Sequence, residues 1–127
     1  MRTLFILFTF FSTGSQLFEQ DFTTQKKITQ DVIQYFEGNQ VSEIFALFDD
    51  KMKSAITEEK LSEIWNSLPF KCGNYLGSGD SIASEVQGMV VVNQFLDFEK
   101  MDLDIRLTFN NENQISGLYF VEPVKKK

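Results

Sequence analysis

Apolar residues between positions 24 and 68 recur every three or four residues, which is the spacing of one face of an α-helix. The first run, 24–37, is followed by Gly38, and glycine tolerates the left-handed conformation that ends helices. Asn39 can cap a second helix, while a third opens at Thr57 and stops at Pro69. The second helix is predicted to be continuous because a single stripe runs through Val41, Ile44, Phe45, Phe48 and Met52. The sequence therefore predicts three N-terminal helices.

Beyond Pro69 the apolar spacing changes to every second residue, as in strands that bury one face. The clearest alternation places on the buried face Leu103, Ile105, Leu107 and Phe109. The solvent-exposed face consists of the residues that alternate with them, Asp102, Asp104, Arg106 and Thr108. This segment is therefore predicted to be a strand with one side against the core.

Three further strands, at 81–86, 89–98 and 114–121, complete a four-stranded sheet. The glycine-containing stretch 71–80 before them is a loop or an irregular first strand. Gln87 and Gly88 form a turn, residues 99–100 form a two-residue connection, and Gly117 is a candidate bulge. Helices followed by a meander predict an α+β fold, with three N-terminal helices packed on one face of a four-stranded antiparallel sheet.

The N-terminus has the order of a secretory signal. Arg2 precedes the apolar run 4–11, and small residues follow up to Ser15. The run is shorter than the ~20 apolar residues of a membrane span, so we expect no span, and a buried N-terminal helix or strand is the alternative. We expect a signal peptide at 1–15, a lead at 16–23, one domain at 24–122 and a basic tail at 123–127. This arrangement indicates a secreted or periplasmic bacterial protein.

Charge and composition exclude several classes of function. The chain of 127 residues has a net charge of −6, whereas nucleic-acid binding needs clustered basic residues. It has no histidine, which removes the commonest general base and metal ligand. Cys72 is its one cysteine, expected to be buried rather than paired between chains, so no Cys-based zinc site can form. We predict no metal and no cofactor.

Core-like segments give the chain a family resemblance. They are 32–36 (VIQYF), 48–53 (FDDKMK), 61–65 (LSEIW) leading to 73–75 (GNY), and 115–120 (ISGLYF). With these segments the chain resembles the bacterial domain-of-unknown-function family 3887, within the nuclear-transport-factor-two-like superfamily of cystatin-like cones. The resemblance implies a curved sheet that encloses a pocket with the helices. It also implies that homodimers can form through the sheet, and it implies no reaction.

Aromatic and soft side chains on the predicted helices are the candidates to line such a pocket. With Tyr75 and two strand amides, the candidate ligand-binding residues are Tyr35, Phe36, Met52, Trp65, Tyr75, Asn93 and Gln94. Aromatic residues at helical spacing also fill cores, and that is the alternative for the aromatic members. Because side chains alternate along a strand, one of Asn93 and Gln94 should point inward.

Three functions remain open from the sequence. The first is a non-enzymatic exported module that binds a small apolar ligand in its cone. The second is a protein-interaction or homodimerisation module. The third is an isomerase-like enzyme, in which an inward Asp97 would be the base and Tyr75 or Tyr119 would stabilise an oxyanion.

Overall fold

The computed structural model describes residues 21–124, which form four helices followed by a four-stranded sheet. The predicted signal peptide at 1–15, most of the predicted lead and the lysines of the predicted tail lie outside the described residues. The helices are α1 (Thr23–Glu37), α2 (Val41–Phe45), α3 (Asp50–Ala55) and α4 (Glu58–Cys72). Within 21–124, no helix is long and apolar enough to cross a membrane.

The two long helices form where the apolar spacing predicts them. On α1, the buried stripe consists of Thr29, Val32, Ile33 and Phe36. The hydroxyl of Thr57 accepts a hydrogen bond from the backbone N–H of Lys60 at 3.1 Å and so caps α4, as predicted. Glu58 and Glu59 lie in the first turn, where the helix dipole favours negative charge.

The prediction of one continuous second helix is wrong. α2 ends at Phe45, and Phe48 forms a parallel β-bridge with Ile115 of the last strand. Asp49 then caps α3 by accepting a hydrogen bond from the N–H of Met52 at 2.9 Å. A long-range pairing therefore overrides a regular local stripe. Asn39 is not the cap either, because it has φ +57° and Gln40 precedes the first helical residue.

The predicted helix end at Pro69 is also wrong, because α4 continues to Cys72. Proline removes one backbone donor from a helix, but its own carbonyl still accepts from Gly73 N at 3.0 Å. The helix ends at Gly73, which has φ +83° and ψ −174°, a conformation that is essentially restricted to glycine. The Cys72 side chain is buried, as the sequence indicates.

The strands are β1 (Tyr75–Val86), β2 (Met89–Phe98), β3 (Leu103–Phe109) and β4 (Ile115–Val121), and they pair in the order β1-β2-β3-β4, all antiparallel. The four-stranded antiparallel meander is thus confirmed. Gln87 and Gly88 both have positive φ, as a type I′ hairpin turn requires. The connection between β2 and β3 has four residues rather than two, because the Asp102 carboxylate accepts from Phe98 N at 3.1 Å and the strand begins only afterwards.

The sheet has an inner face against the helices and an outer face on the opposite side. The predicted buried residues of β3 all lie on the inner face and are at most 9% exposed. Across β2 they pair with Val90, Val92, Gln94 and Leu96. The outer face is less exposed to solvent than predicted, since Asp104 is only 3% exposed. Its carboxylate accepts hydrogen bonds from Val124 N at 2.9 Å and from Asn93 Nδ2 at 3.4 Å.

Two strands carry irregularities that the glycines indicated. The first strand is the irregular one of the two predicted alternatives, with register shifts between Tyr75 and Gly77 and between Ser78 and Ser81. In the last strand, Thr108 pairs with Gly117 but Phe109 pairs with Ile115, so the shift adjoins Gly117. A Cβ at Gly117 would lie 3.2 Å from the Tyr119 ring and 3.4 Å from Thr108, so this backbone is closely approached.

Candidate functional site

Five aromatic rings meet between the helices and the inner face of the sheet. We call them the ring cluster: Phe36, Trp65, Tyr75, Phe98 and Phe120. The rings of Phe36 and Trp65 are stacked, with centroids 4.9 Å apart and planes inclined by 11°. Tyr75 meets Trp65 edge-on at 5.4 Å, and Phe120 lies 6.1 Å from it. The stacked and edge-on arrangements are those that aromatic pairs favour.

The ring cluster occupies the region where the sequence led us to expect a ligand pocket. Phe36, Trp65 and Tyr75 are brought together as predicted, but they contact one another and the rings of the sheet. Burial raises the pKa of the Tyr75 hydroxyl, with a further upward effect from the negative charge of Glu37 and a smaller downward one from the Ser78 side chain. These ring contacts show that the interior next to Trp65 is packed with side chains.

An apolar groove lies beside this packed interior, between α3, α4 and β4. We call it the edge groove, and its lining consists of Met52, Ile56, Leu61, Ile64, Leu68, Leu118, Tyr119, Phe120 and Val121. Its volume is about 350 Å³. Leu61, Ile64 and Leu68 follow one another at three- and four-residue spacing, so they lie on one face of α4. Phe120 belongs to both the groove and the ring cluster.

Two other depressions on the described surface are larger but more polar. One of about 620 Å³ lies along α4, where Glu58, Glu59 and Glu63 face it together with Phe70, which is 91% exposed. The other, of about 540 Å³, is lined by six apolar or aromatic residues and by Lys71, Asp102 and Glu122. Both depressions therefore carry charged side chains, whereas the lining of the edge groove carries none. Of the three, the edge groove is the one whose lining suits a wholly apolar ligand.

Gln94 is the strand amide that points inward, and it is only 2% exposed. Its Nε2 donates to the carbonyl of Gly79 at 2.8 Å, across the irregular part of β1 where the ladder is interrupted. Its Oε1 is buried and receives no hydrogen bond from the described residues. Gln94 thus holds the bulge of β1 in place, and it does not line the edge groove.

The other predicted site residues are scattered. Asn93 lies on the outer face, where it donates to Asp104. Tyr35 is half-buried on α1 and packs against the core. Met52 lines the edge groove. Asp97 lies between Leu96 and Phe98, whose side chains are buried on the inner face, so its carboxylate is on the side of the sheet opposite Tyr75.

Most of the edge groove was not foreseen from the sequence. Leu61, Ile64 and Leu68 lie on the apolar stripe of the predicted third helix, and Leu118 lies on the predicted last strand. A hydrophobic pattern does not indicate that such residues are left partly uncovered in the folded domain. The available signal is the position of β4 as the last strand of a meander, since such a strand lies at a sheet edge. Within residues 21–124, no group of three or more His, Cys, Asp or Glu residues could hold a metal ion.

These elements define an α+β domain whose helices cover one face of a four-stranded meander. Residues 29–118 match the family described as "Protein of unknown function (DUF3887)", so the chain belongs to that family. The family resemblance of the core segments is thereby confirmed, while membership of the nuclear-transport-factor-two-like superfamily stays a prediction. No curated protein and no solved structure matches the chain.

Proposed function

We propose that this domain is a binding module that takes a small apolar ligand in the edge groove. The observation that carries the proposal is the lining, whose side chains are all hydrocarbon or thioether except for the phenol of Tyr119. The volume of about 350 Å³ falls in the range of small-molecule sites, ~300–1,000 Å³. The site lies outside the expected cone interior, because the ring cluster fills that interior.

The expected affinity is modest. A ligand that removes roughly 400 Å² of apolar surface from water, counting both partners, gains about 10 kcal/mol. Loss of translational and rotational freedom costs at least ~4 kcal/mol of this, so the dissociation constant is about tens of micromolar at its tightest. Such binding is measurable by fluorescence.

Binding can be tested with the neutral dye N-phenyl-1-naphthylamine. Trp65 is the one tryptophan of the chain, and its ring contacts Phe120 on the groove wall. We therefore expect saturable energy transfer from Trp65 to the bound dye. Ile64→Asp places a charge in the groove and should weaken dye binding at least ~10-fold, since burying an unpaired charge is costly. Asn66→Asp is the matched control, because it adds the same charge at an exposed position of α4.

Equal dye binding by the wild type and Ile64→Asp would contradict the proposal. A thermal melt of each variant shows whether it is folded. If Ile64→Asp does not fold, Ile64→Phe serves instead, because it fills the groove without adding a charge. Ile64 is only partly buried, so the larger ring can be accommodated at the surface.

We also propose that the domain is exported, on the strength of the basic, apolar and small-residue order of positions 1–15. Expression of the full chain in a bacterium should then yield a periplasmic or secreted product that begins at or near Gln16. N-terminal sequencing and intact-mass measurement of the fractionated protein check this. A cytoplasmic product that retains residues 1–15 would contradict it.

A further inference from the structure

The strand that borders the edge groove is at the edge of the sheet. β4 pairs with β3 along one side, from the Asp104–Val121 pair to the Phe109–Ile115 pair. Among residues 21–124, the one pairing recorded on its other side is the bridge at Ile115. An edge strand directs the N–H and C=O groups of every second residue away from its neighbour. These groups run along the same stretch, 118–121, that lines the groove.

The chain itself already adds a strand-like segment to this edge. Asp49 N donates to the carbonyl of Ile115, and Ile115 N donates to the carbonyl of Leu47, both at 2.9 Å. The segment then turns into α3, and the side chains of Met52 and Ile56 become the next wall of the groove. The edge groove thus begins where the chain's own pairing with β4 ends.

We infer that the small apolar groups taken up by the edge groove are alternate side chains of an extended peptide segment, which pairs with β4 through its backbone. This inference rests on the proposed function and adds the chemical class of the ligand. Four residues of a strand span ~10 Å, so two side chains on the same face, ~7 Å apart, can enter along residues 118–121. Pairing by backbone with pockets for alternate side chains is a known mode of peptide recognition.

The lining and the edge together favour a peptide over a lipid chain or an aromatic compound. A purely apolar ligand would fill the groove and leave the outward backbone groups of β4 as they are. The opposite edge, β1, is less suited to strand addition because it contains two register shifts and Gly77 and Gly79. None of the described depressions with an apolar lining borders it.

The test uses a short peptide that alternates threonine and leucine between terminal lysines. Two analogues carry the same side chains, but one is N-methylated at the odd residues and the other at the even residues. We expect the parent peptide to displace the naphthylamine dye and to slow hydrogen exchange of amides in 116–121 at least ~10-fold. We expect one analogue to bind like the parent and the other to lose at least ~10-fold, because only one set of amides faces β4.

The outcomes separate this inference from the proposed function. If the dye binds in the groove but the peptide neither displaces it nor protects β4, the inference is overturned and the proposed function stands. It is also overturned if both analogues bind like the parent, or if protection appears on β1. If the dye and the peptide each bind Ile64→Asp as tightly as they bind Asn66→Asp, both proposals fail.

Discussion

At the scale of single residues, the inner face of β2 presents one amide, Gln94, among apolar neighbours. The amide makes one hydrogen bond, to the carbonyl of Gly79, while its own buried Oε1 receives none from the described residues. A hydrogen bond contributes about 1 kcal/mol, whereas a buried unsatisfied group costs about 1–3 kcal/mol. Gln94 therefore fixes the bulge of β1 at little or no net gain in stability.

This balance predicts different results for two substitutions of Gln94. Gln94→Met removes both the bond and the unsatisfied oxygen, so we expect the free energy of unfolding to change by less than about 1 kcal/mol. Gln94→Glu should destabilise by about 3 kcal/mol or more at pH 8, because it buries an unpaired charge. Burial raises the pKa of the introduced carboxyl, so the loss should shrink as the pH falls towards about 5. Urea denaturation at the two pH values measures both effects.

A destabilising Gln94→Met would show instead that the bond to Gly79 outweighs the buried oxygen. Either way, the sequence alone could place one of Asn93 and Gln94 inward but could not choose between them. The choice follows from the register with β3, in which Gln94 pairs with the buried Ile105. Register is a property of two strands, and a single segment does not contain it.

At the scale of elements, the break between α2 and α3 shows that the spacing of apolar residues does not predict where a helix is interrupted. Val41, Ile44, Phe48 and Met52 fit one helical face, yet the first two lie on α2, Phe48 lies in the break and Met52 lies on α3. Phe48 is buried in either arrangement, so its burial did not reveal the break. The bridge to Ile115 decides the matter, and it joins positions separated by more than half of the described chain.

Asp49 should carry more of the stability of this region than its neighbour Asp50. Asp49→Ala removes the cap on Met52 N and should cost about 1 kcal/mol, within the usual range of ~0.5–2 kcal/mol. Asp50→Ala removes only a favourable charge in the first turn, worth about 0.3–1 kcal/mol at low salt. The first loss should persist in 1 M salt and the second should diminish. Equal losses with the same salt dependence would contradict the capping role.

At the scale of the whole molecule, the alternation of β3 and the helical stripes of α1 and α4 were enough to predict the layers. The grouping of Phe36, Trp65 and Tyr75 was predictable as well, but the contact of these rings with Phe120 and the lining of the edge groove were not. Each combines residues from a helix and from the last strand, such as Trp65 with Phe120. Their geometry depends on how closely two layers pack, and a hydrophobic pattern records only which face is buried.

The pKa of Tyr75 gives the folded molecule a pH dependence. Because the pKa is raised in the folded state, folding favours the protonated phenol. The contribution is complete below the unfolded pKa of about 10 and is lost as the pH rises through the folded value. We expect the melting temperature to fall above about pH 10, and Tyr75→Phe to reduce this fall. Tyr119→Phe is the control that leaves Tyr75 in place, and identical pH profiles for all three proteins would contradict the assignment.

The last strand supplies partners to the first elements of the chain. Ile115 pairs with Phe48, and the ring of Phe120 lies against Phe36 and Trp65. Ribosomes begin at the N-terminus, so the helices are made before the strand that covers them exists. Their apolar faces must stay uncovered, or be held by chaperones, until β4 has been synthesised. The core of this domain can therefore close only after the ribosome has passed the last residue of β4, Val121.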